Sequence, residues 1–338
     1  MARPLAIVNG DRLLVCRTDR LGDLILALPL VSTLKARYPD IGITVAASPY
    51  AAPVLENHPA VDDIIAVDTA RLAGEESYRH EFTEKVQTAD FAAALVLYPD
   101  QALSRALFKA RVRYRIGTMR RFQSRYFNRF LFHSRKRCRR HEAEYNLDYL
   151  KYFRPGPTVY IPRVYVTDKE RERARRILSG AGVENHFVVL HPGSGGSADR
   201  WPLNRFAELY YSLVGEAFPV IITGSENEGR ELDRAAAGKL PGEISLAGKT
   251  DLRTLAAVLE KAAVVVANST GPLHLAAAVG TPVVGLYPRR QAMHPVRWGP
   301  LGEGHTVLQP GGDDMDTIGI ERVVRSVRAA IGNEREHD

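Results

Sequence analysis

Short apolar runs alternate with helix-period patterns from one end of the chain almost to the other. In the first half, Arg12–Arg17, Gly42–Ala47, Ile64–Val67, Ala92–Tyr98 and Tyr114–Gly117 read as strands. A compact run of β-branched and apolar residues suits a strand buried on both faces. Helical spacing recurs near Asp23–Arg37, Ser77–Thr88 and Glu142–Phe153. Then Arg154-Pro155-Gly156-Pro157, with Pro162 beyond, removes backbone donors and predicts an extended connection. The second half restarts with a helix over Asp168–Ser179, where Thr167 and Glu170 have capping-box spacing and Gly180 and Gly182 follow. Strands are expected at Phe187–His191, Val220–Thr223, Val264–Asn268 and Val283–Tyr287, and a last helix over about 316–331. Such alternation predicts parallel sheets with crossover helices. The fold class is therefore α/β, with two Rossmann-like domains, 1–160 and 161–338, facing across a cleft.

Four polar turns follow strands, at the edge where open α/β sheets bind ligands. The first is Arg17-Thr18-Asp19-Arg20-Leu21-Gly22-Asp23. Asp23 stands where a helix begins, so it is either an ionised general base or an acid that only complements the helix dipole. The second is His191-Pro192-Gly193-Ser194-Gly195-Gly196, whose small residues let main-chain N–H groups approach an anion, or simply make a turn. It matches neither the P-loop nor the dinucleotide fingerprint. The third, Asn268-Ser269-Thr270-Gly271-Pro272-Leu273-His274, opens a helix and is suited to a diphosphate. His274 faces either the core or a ligand. The fourth is Thr223-Gly224-Ser225-Glu226, where Glu226 is either a ribose carboxylate or a surface acid.

Composition narrows the class further. The 338 residues are 45% hydrophobic and 25% charged, which fits a globular chain with a large core. No apolar run approaches the ~20 residues of a membrane span, and Asn9–Arg12 arrives too early for a secretory leader. Two cysteines supply neither a disulfide framework nor a metal cluster. Asp314-Met315-Asp316 is a weak metal candidate in a glycine-rich loop, so no metal site is expected. The net charge of +7 has one source: Arg105–Arg140 carries 14 Lys and Arg and no acid, interleaved with aromatic residues. That pattern suits phosphates or an anionic membrane surface, and no nucleic-acid-binding signature accompanies it.

Taken together, the turns resemble glycosyltransferase family 9, the heptosyltransferases of the lipopolysaccharide inner core. The resemblance rests on Arg17–Asp23 with Pro29, His191–Gly196 leading to Arg200-Trp201-Pro202, Gly224-Ser225-Glu226, Asn268–His274 with Gly280-Thr281-Pro282, Arg115-Ile116-Gly117 and His141-Glu142. It implies a GT-B fold with an N-terminal acceptor domain, a C-terminal nucleotide-sugar domain and a final helix that packs back on the first domain. It also implies inverting, metal-independent transfer, most simply of heptose from ADP-heptose to a lipid-linked core acceptor. The nucleotide sugar is then a substrate, with no cofactor, and the enzyme works at the cytoplasmic face of the inner membrane.

Position by position, Asp23 matches the catalytic base, Gly193 and Ser194 match phosphate contacts, Glu226 the ribose carboxylate, and Thr270, Gly271 and His274 the diphosphate-binding helix terminus; Arg200, Ser269 and Thr250 are expected on the donor side with them. Arg17, Arg20, Arg120 and Arg121 are expected on the acceptor side. Two positions depart from the family pattern: Asp199 replaces a lysine, with Arg200 beside it, and Ser269 replaces an aspartate. They leave open another nucleotide-sugar donor, or a non-catalytic glycolipid-binding protein on the same scaffold.

Overall fold

The structure is a computed structural model that describes residues 4–119, 122–184, 186–195 and 199–334. The chain forms two compact units, Met1–Lys136 with Glu142–Pro162, and Arg137–His141 with Arg163–Asp338.

Unit 1 is built on a six-stranded, wholly parallel sheet: β1 Arg12–Arg17, β2 Gly42–Ala47, β3 Asp63–Ala66, β4 Ala93–Val96, β5 Tyr114–Thr118 and β6 Arg129–Leu131. Its order is β3-β2-β1-β4-β5-β6. The chain winds outward from β1 to one edge, returns to β4 and winds to the other. The reversal leaves a crevice at the carboxyl ends of β1 and β4, where such sheets take ligands. Leu13–Cys16 on β1 are fully buried, as a central strand covered on both faces requires.

Unit 2 carries β7 Val188–His191, β8 Val220–Ile222, β9 Val264–Asn268, β10 Val283–Leu286 and β11 Thr306–Leu308. They form a parallel sheet in the order β11-β10-β9-β7-β8. Here the winding reverses between β7 and β9, so the switch point lies at His191 and Asn268. Trp201, fully buried, meets Phe206 edge to face at 5.0 Å in the core of this unit.

One expectation changes. The helix read over Asp23–Arg37 is two helices, Leu21–Ile25 and Leu28–Arg37. Pro29 lacks the N–H needed to continue the first, and the second starts around it. The final helix, Ile320–Glu334, buries Val323, Val324, Val327 and Ile331 in the core of unit 2, against Phe206, Leu209 and Leu213. Its apolar stripe is thus covered within its own unit. β6 and β11 are three-residue edge strands without a period to read. Among the described residues, no helix is long and apolar enough to cross a membrane.

Candidate active site

β1 ends at Arg17, and the next turn delivers Asp19, Arg20 and the short helix Leu21–Ile25 with Asp23 in its first turn. Arg17 is 3% exposed, so its charge needs partners. Nε donates to Asp19 Oδ1 at 2.7 Å, and Nη2 donates to Asp19 Oδ2 at 3.0 Å and to Asp23 Oδ1. Nη1 donates to Glu142 Oε1 at 3.0 Å and to Asn146 Oδ1 at 3.3 Å. A guanidinium has five N–H groups, and here all five have acceptors. Burial alone would lower its pKa, but Asp23, Asp19 and Glu142 overcome that and hold it well above the ordinary value.

The far side of the cluster comes from helix Glu142–Leu147. Glu142 is completely buried and also lies 3.0 Å from Arg135 Nε. The Asn146 amide donates to Leu26 O at 2.9 Å, at the break between the two helices that follow β1. Three carboxylates therefore share two guanidiniums, and Asp23, 14% exposed, is fixed at the carboxyl edge of the central strand. A carboxylate so held is placed to accept a proton from a hydroxyl.

In unit 2, the turn after β7 and the turn after β9 are joined by Asn268. Its Nδ2 donates to Pro192 O at 2.9 Å, and its Oδ1 accepts from Trp201 N at 2.9 Å. His191 Nδ1 lies 3.0 Å from Thr223 Oγ1, and burial pushes this imidazole down to about 4. A Cβ at Gly193 would fall on the Glu228 carboxylate, so a larger residue there would displace that side chain. That carboxylate accepts from Ser225 N at 2.8 Å, Ser225 Oγ at 2.9 Å and Gly195 N at 3.4 Å. Burial pushes Glu228 up, but the amide and hydroxyl bonds from Ser225 outweigh it and leave it below the usual carboxylate range. After β9, Thr270 is the N-cap of helix Gly271–Val279 without capping it through its side chain; Thr270 Oγ1 donates to Asn268 O at 3.2 Å. The first N–H groups of this helix, from Gly271 onward, make the positive end of a nine-residue dipole.

The description Glycosyltransferase family 9 (heptosyltransferase) matches residues 79–317. The chain belongs to this family. Lipopolysaccharide heptosyltransferase 2 of Salmonella typhimurium is 27% identical over 289 residues, 82% of each chain. Among solved structures, a glycosyl transferase family 9 protein from Veillonella parvula superposes with a TM-score of 0.85 at 19% identity, over 96% of this chain and 98% of that one. The E. coli ADP-heptose LPS heptosyltransferase II superposes with a TM-score of 0.81 at 23% identity, over 96% and 99%. The fold is GT-B, with two Rossmann-like units, and the protein is a glycosyltransferase.

Within this family 9 enzyme the expected site residues divide. Asp23 and Arg17 meet in unit 1, but Arg17, expected at a sugar, is buried and has no donor left for one. Arg20 is exposed at the N-cap of the Asp23 helix. Arg120 and Arg121 lie outside the described residues. Gly193, Ser194, Ser269, Thr270 and Gly271 gather at the unit 2 switch point, where Ser194 is buried and Ser269 N donates to Leu286 O at 3.2 Å.

His274 is 5% exposed, and burial, with His141 and His305 nearby, pushes it down to about 3. Burial therefore favours its neutral form. Glu226, expected at a ribose, is exposed and paired with Arg230 at 2.7 Å. Glu228, two residues on, is the acid at the glycine turn. Its signal was legible as the capping box Ser225-x-x-Glu228, which closes as that motif predicts. Arg200 pairs with Glu231 at 3.2 Å, and Asp199 pairs with Arg290 at 3.2 Å, bringing a second cation to that loop. Thr250 is half-buried just before the Asp251 cap of helix Leu252–Glu260. Among the described residues, no cluster of His, Cys, Asp and Glu could hold a metal. Asp314 caps its own short turn through Asp316 N at 2.9 Å, and Asp316 pairs with Arg205 at 2.6 Å.

Proposed function

We propose that the enzyme transfers heptose from ADP-heptose to a hydroxyl of the lipopolysaccharide inner core, with inversion at the anomeric carbon. Unit 1 takes the acceptor and unit 2 the nucleotide sugar. The observation that carries this reading is the Asp23 carboxylate held by the saturated Arg17 guanidinium at the β1 edge. Asp23 removes the acceptor's proton as its oxygen attacks the anomeric carbon from the face opposite the leaving ADP. Negative charge grows on the departing diphosphate. Main-chain N–H groups at Gly193 and Ser194 and at the start of helix Gly271–Val279, with Arg200 and Arg290 on the neighbouring loops, are preorganised to meet it without a metal. Glu228 takes the ribose role first expected of Glu226. The donor is drawn from relatives whose names specify ADP-heptose and lipopolysaccharide.

Asp23→Asn tests the assignment, since the amide keeps the volume but cannot take the proton. Turnover should fall at least 10³-fold while the dissociation constant for ADP stays unchanged. Transfer within about tenfold of the native rate would remove Asp23 from the base role.

A second feature favours work at a membrane. On the β5–β6 side of unit 1, Phe108, Phe122 and Phe132 are exposed, with Arg115, Arg125 and Lys151 stacked over them at 5.2, 3.9 and 5.6 Å. Cations interleaved with exposed aromatic rings match the anionic interface of a leaflet. We place the enzyme peripherally on the inner membrane, where its acceptor is anchored.

A further inference from the structure

Asn268 ends β9 and is completely buried, and both ends of its side-chain amide are taken up by neighbouring turns. Nδ2 donates to Pro192 O and Oδ1 accepts from Trp201 N, each at 2.9 Å. The two partners fix which end is which, because a carbonyl only accepts and a main-chain N–H only donates. One partner is firmly held. Trp201 is fully buried, and its Nε1 donates to Ile318 O at 3.0 Å. Asn268 therefore ties the glycine turn after β7 to an anchor in the core. Its own carbonyl accepts from Thr270 Oγ1 at 3.2 Å, just ahead of helix Gly271–Val279.

The bond to Pro192 also sets the direction of the next N–H. The Pro192–Gly193 peptide is trans, so its C=O and N–H point to opposite sides. With Pro192 O drawn onto Asn268, the Gly193 N–H faces away from that side chain. Among the described residues it has no acceptor. Gly195 N–H, in the same turn, is already given to Glu228. Few side chains could replace the amide here. An ionised carboxylate of the same shape would set an oxygen against Pro192 O, and an aliphatic chain would leave both partners unbonded.

We propose that Asn268 is a positioning residue for the donor's diphosphate: it touches no ligand, and from its anchor in the core it aims the Gly193 N–H at the phosphates. A donor group aimed before the anion arrives needs no reorganisation when it binds. The proposal rests on unit 2 taking the nucleotide sugar, and it names the residue that sets the grip on the phosphates. Changes at position 268 therefore alter affinity for the phosphates and spare the nucleoside.

Two variants of the full chain test it with ADP, inorganic pyrophosphate and adenosine as probes. Asn268→Leu, close in volume and unable to bond either turn, should bind ADP and pyrophosphate about tenfold more weakly at every pH. Adenosine, which has no phosphate, should bind as it does to the native chain. Asn268→Asp keeps the shape but donates to Pro192 O only when protonated. Burial and the facing carbonyl raise the pKa of this carboxyl, so its ADP affinity relative to native should recover as the pH falls from about 8 to about 5.5. Over that range His191 and His274, pushed down to about 4 and about 3, stay neutral, Glu228 stays ionised and Tyr287 keeps its proton. Native affinity for the phosphates in Asn268→Leu overturns the proposal. An equal loss of adenosine overturns it too, since packing alone would then account for the effect, and so does an Asn268→Asp deficit that acid does not relieve. Amide NMR on the native chain decides even if neither variant folds. Pyrophosphate should shift the Gly193 amide and leave the Asn268 side-chain amide in place. An unmoved Gly193 amide leaves nothing to position, and a shifted Asn268 side chain makes it a ligand contact; either result overturns the proposal. Native binding of pyrophosphate with no preference for ADP faults the nucleotide reading and leaves the positioning role standing.

Discussion

Arg17 and Asp23 stand six residues apart, and the guanidinium of one donates directly to the carboxylate of the other while the same guanidinium is anchored on fully buried Glu142. Asp23 is therefore aimed by a group that cannot itself reach a substrate. Lysine at position 17 would keep the charge but bring one ammonium to four acceptor side chains. Arg17→Lys should lower kcat about 100-fold through misplacement of Asp23, with KM for the donor changed less than about twofold. Arg17→Ala should also cost about 3–5 kcal/mol of stability, because buried Glu142 loses one of the two guanidiniums beside it. Steady-state kinetics and denaturant unfolding separate the two effects. A rise in donor KM with kcat intact would make Arg17 a binding residue instead.

Glu226 and Glu228 differ by two positions and have opposite surroundings. Glu226 is exposed and paired along its own helix, whereas Glu228 sits at the glycine turn between Ser225 and Gly195. Glu228→Gln preserves the capping box, which accepts glutamine, but loses the charge. It should weaken ADP about tenfold or more, as expected for losing a charged hydrogen bond, and Glu226→Gln should leave ADP binding unchanged. Calorimetric titration of both variants decides between the two acids.

Most of the fold was legible because the central strands are apolar on both faces. β1, β2 and β9 have the ends read from sequence, since Arg17, Ala47 and Asn268 stand where the apolar runs meet polar turns. The edge strands β6 and β11 were not legible: three residues at a sheet margin need neither period 2 nor a continuous apolar run. Helices Thr69–Gly74 and Gln101–Lys109 did leave a signal, the capping acids Asp68 and Asp100, in stretches whose apolar period is short. The turns of the site were visible one by one, but their wiring was not. Arg17 finds Glu142 across 125 residues, and only the folded sheet brings them together. For that reason Arg17 read as a ligand contact when it is a support.

Stability should fall on mild acidification, for a reason located in unit 2. His191 and His274 have an ordinary value of 6.5, and burial brings them to about 4 and about 3 in the fold. Between these limits the unfolded chain binds more protons than the native one. Stability is complete above pH 6.5 and declines as the pH drops through the window, by about 1.4 kcal/mol per pH unit for each imidazole. For His191 that amounts to about 3 kcal/mol by pH 4. Glu228 acts in the same direction at lower pH, since its value is depressed. Urea unfolding at pH values above and inside the window measures the slope. His274→Leu, which removes one buried titrating ring, should flatten it by about one proton.

The basic, aromatic face of unit 1 makes a prediction independent of catalysis. Arg113 and Arg125 are exposed, stacked on Tyr114 and Phe122, and neither touches the Asp23 cluster. Each cation near an anionic surface contributes about 1 kcal/mol, so removing two weakens membrane partitioning about 30-fold, and reversing their sign weakens it further. Arg113→Glu with Arg125→Glu should abolish most sedimentation with phosphatidylglycerol vesicles and leave ADP affinity and melting temperature unchanged. Added salt should mimic the double variant, since screening shortens the reach of surface charge. Phe122→Ser should act differently, lowering binding at every salt concentration, because the ring's contribution is apolar burial. If the double variant cosediments like the native chain, the charge of this face has another purpose, and the membrane is reached through the acceptor alone.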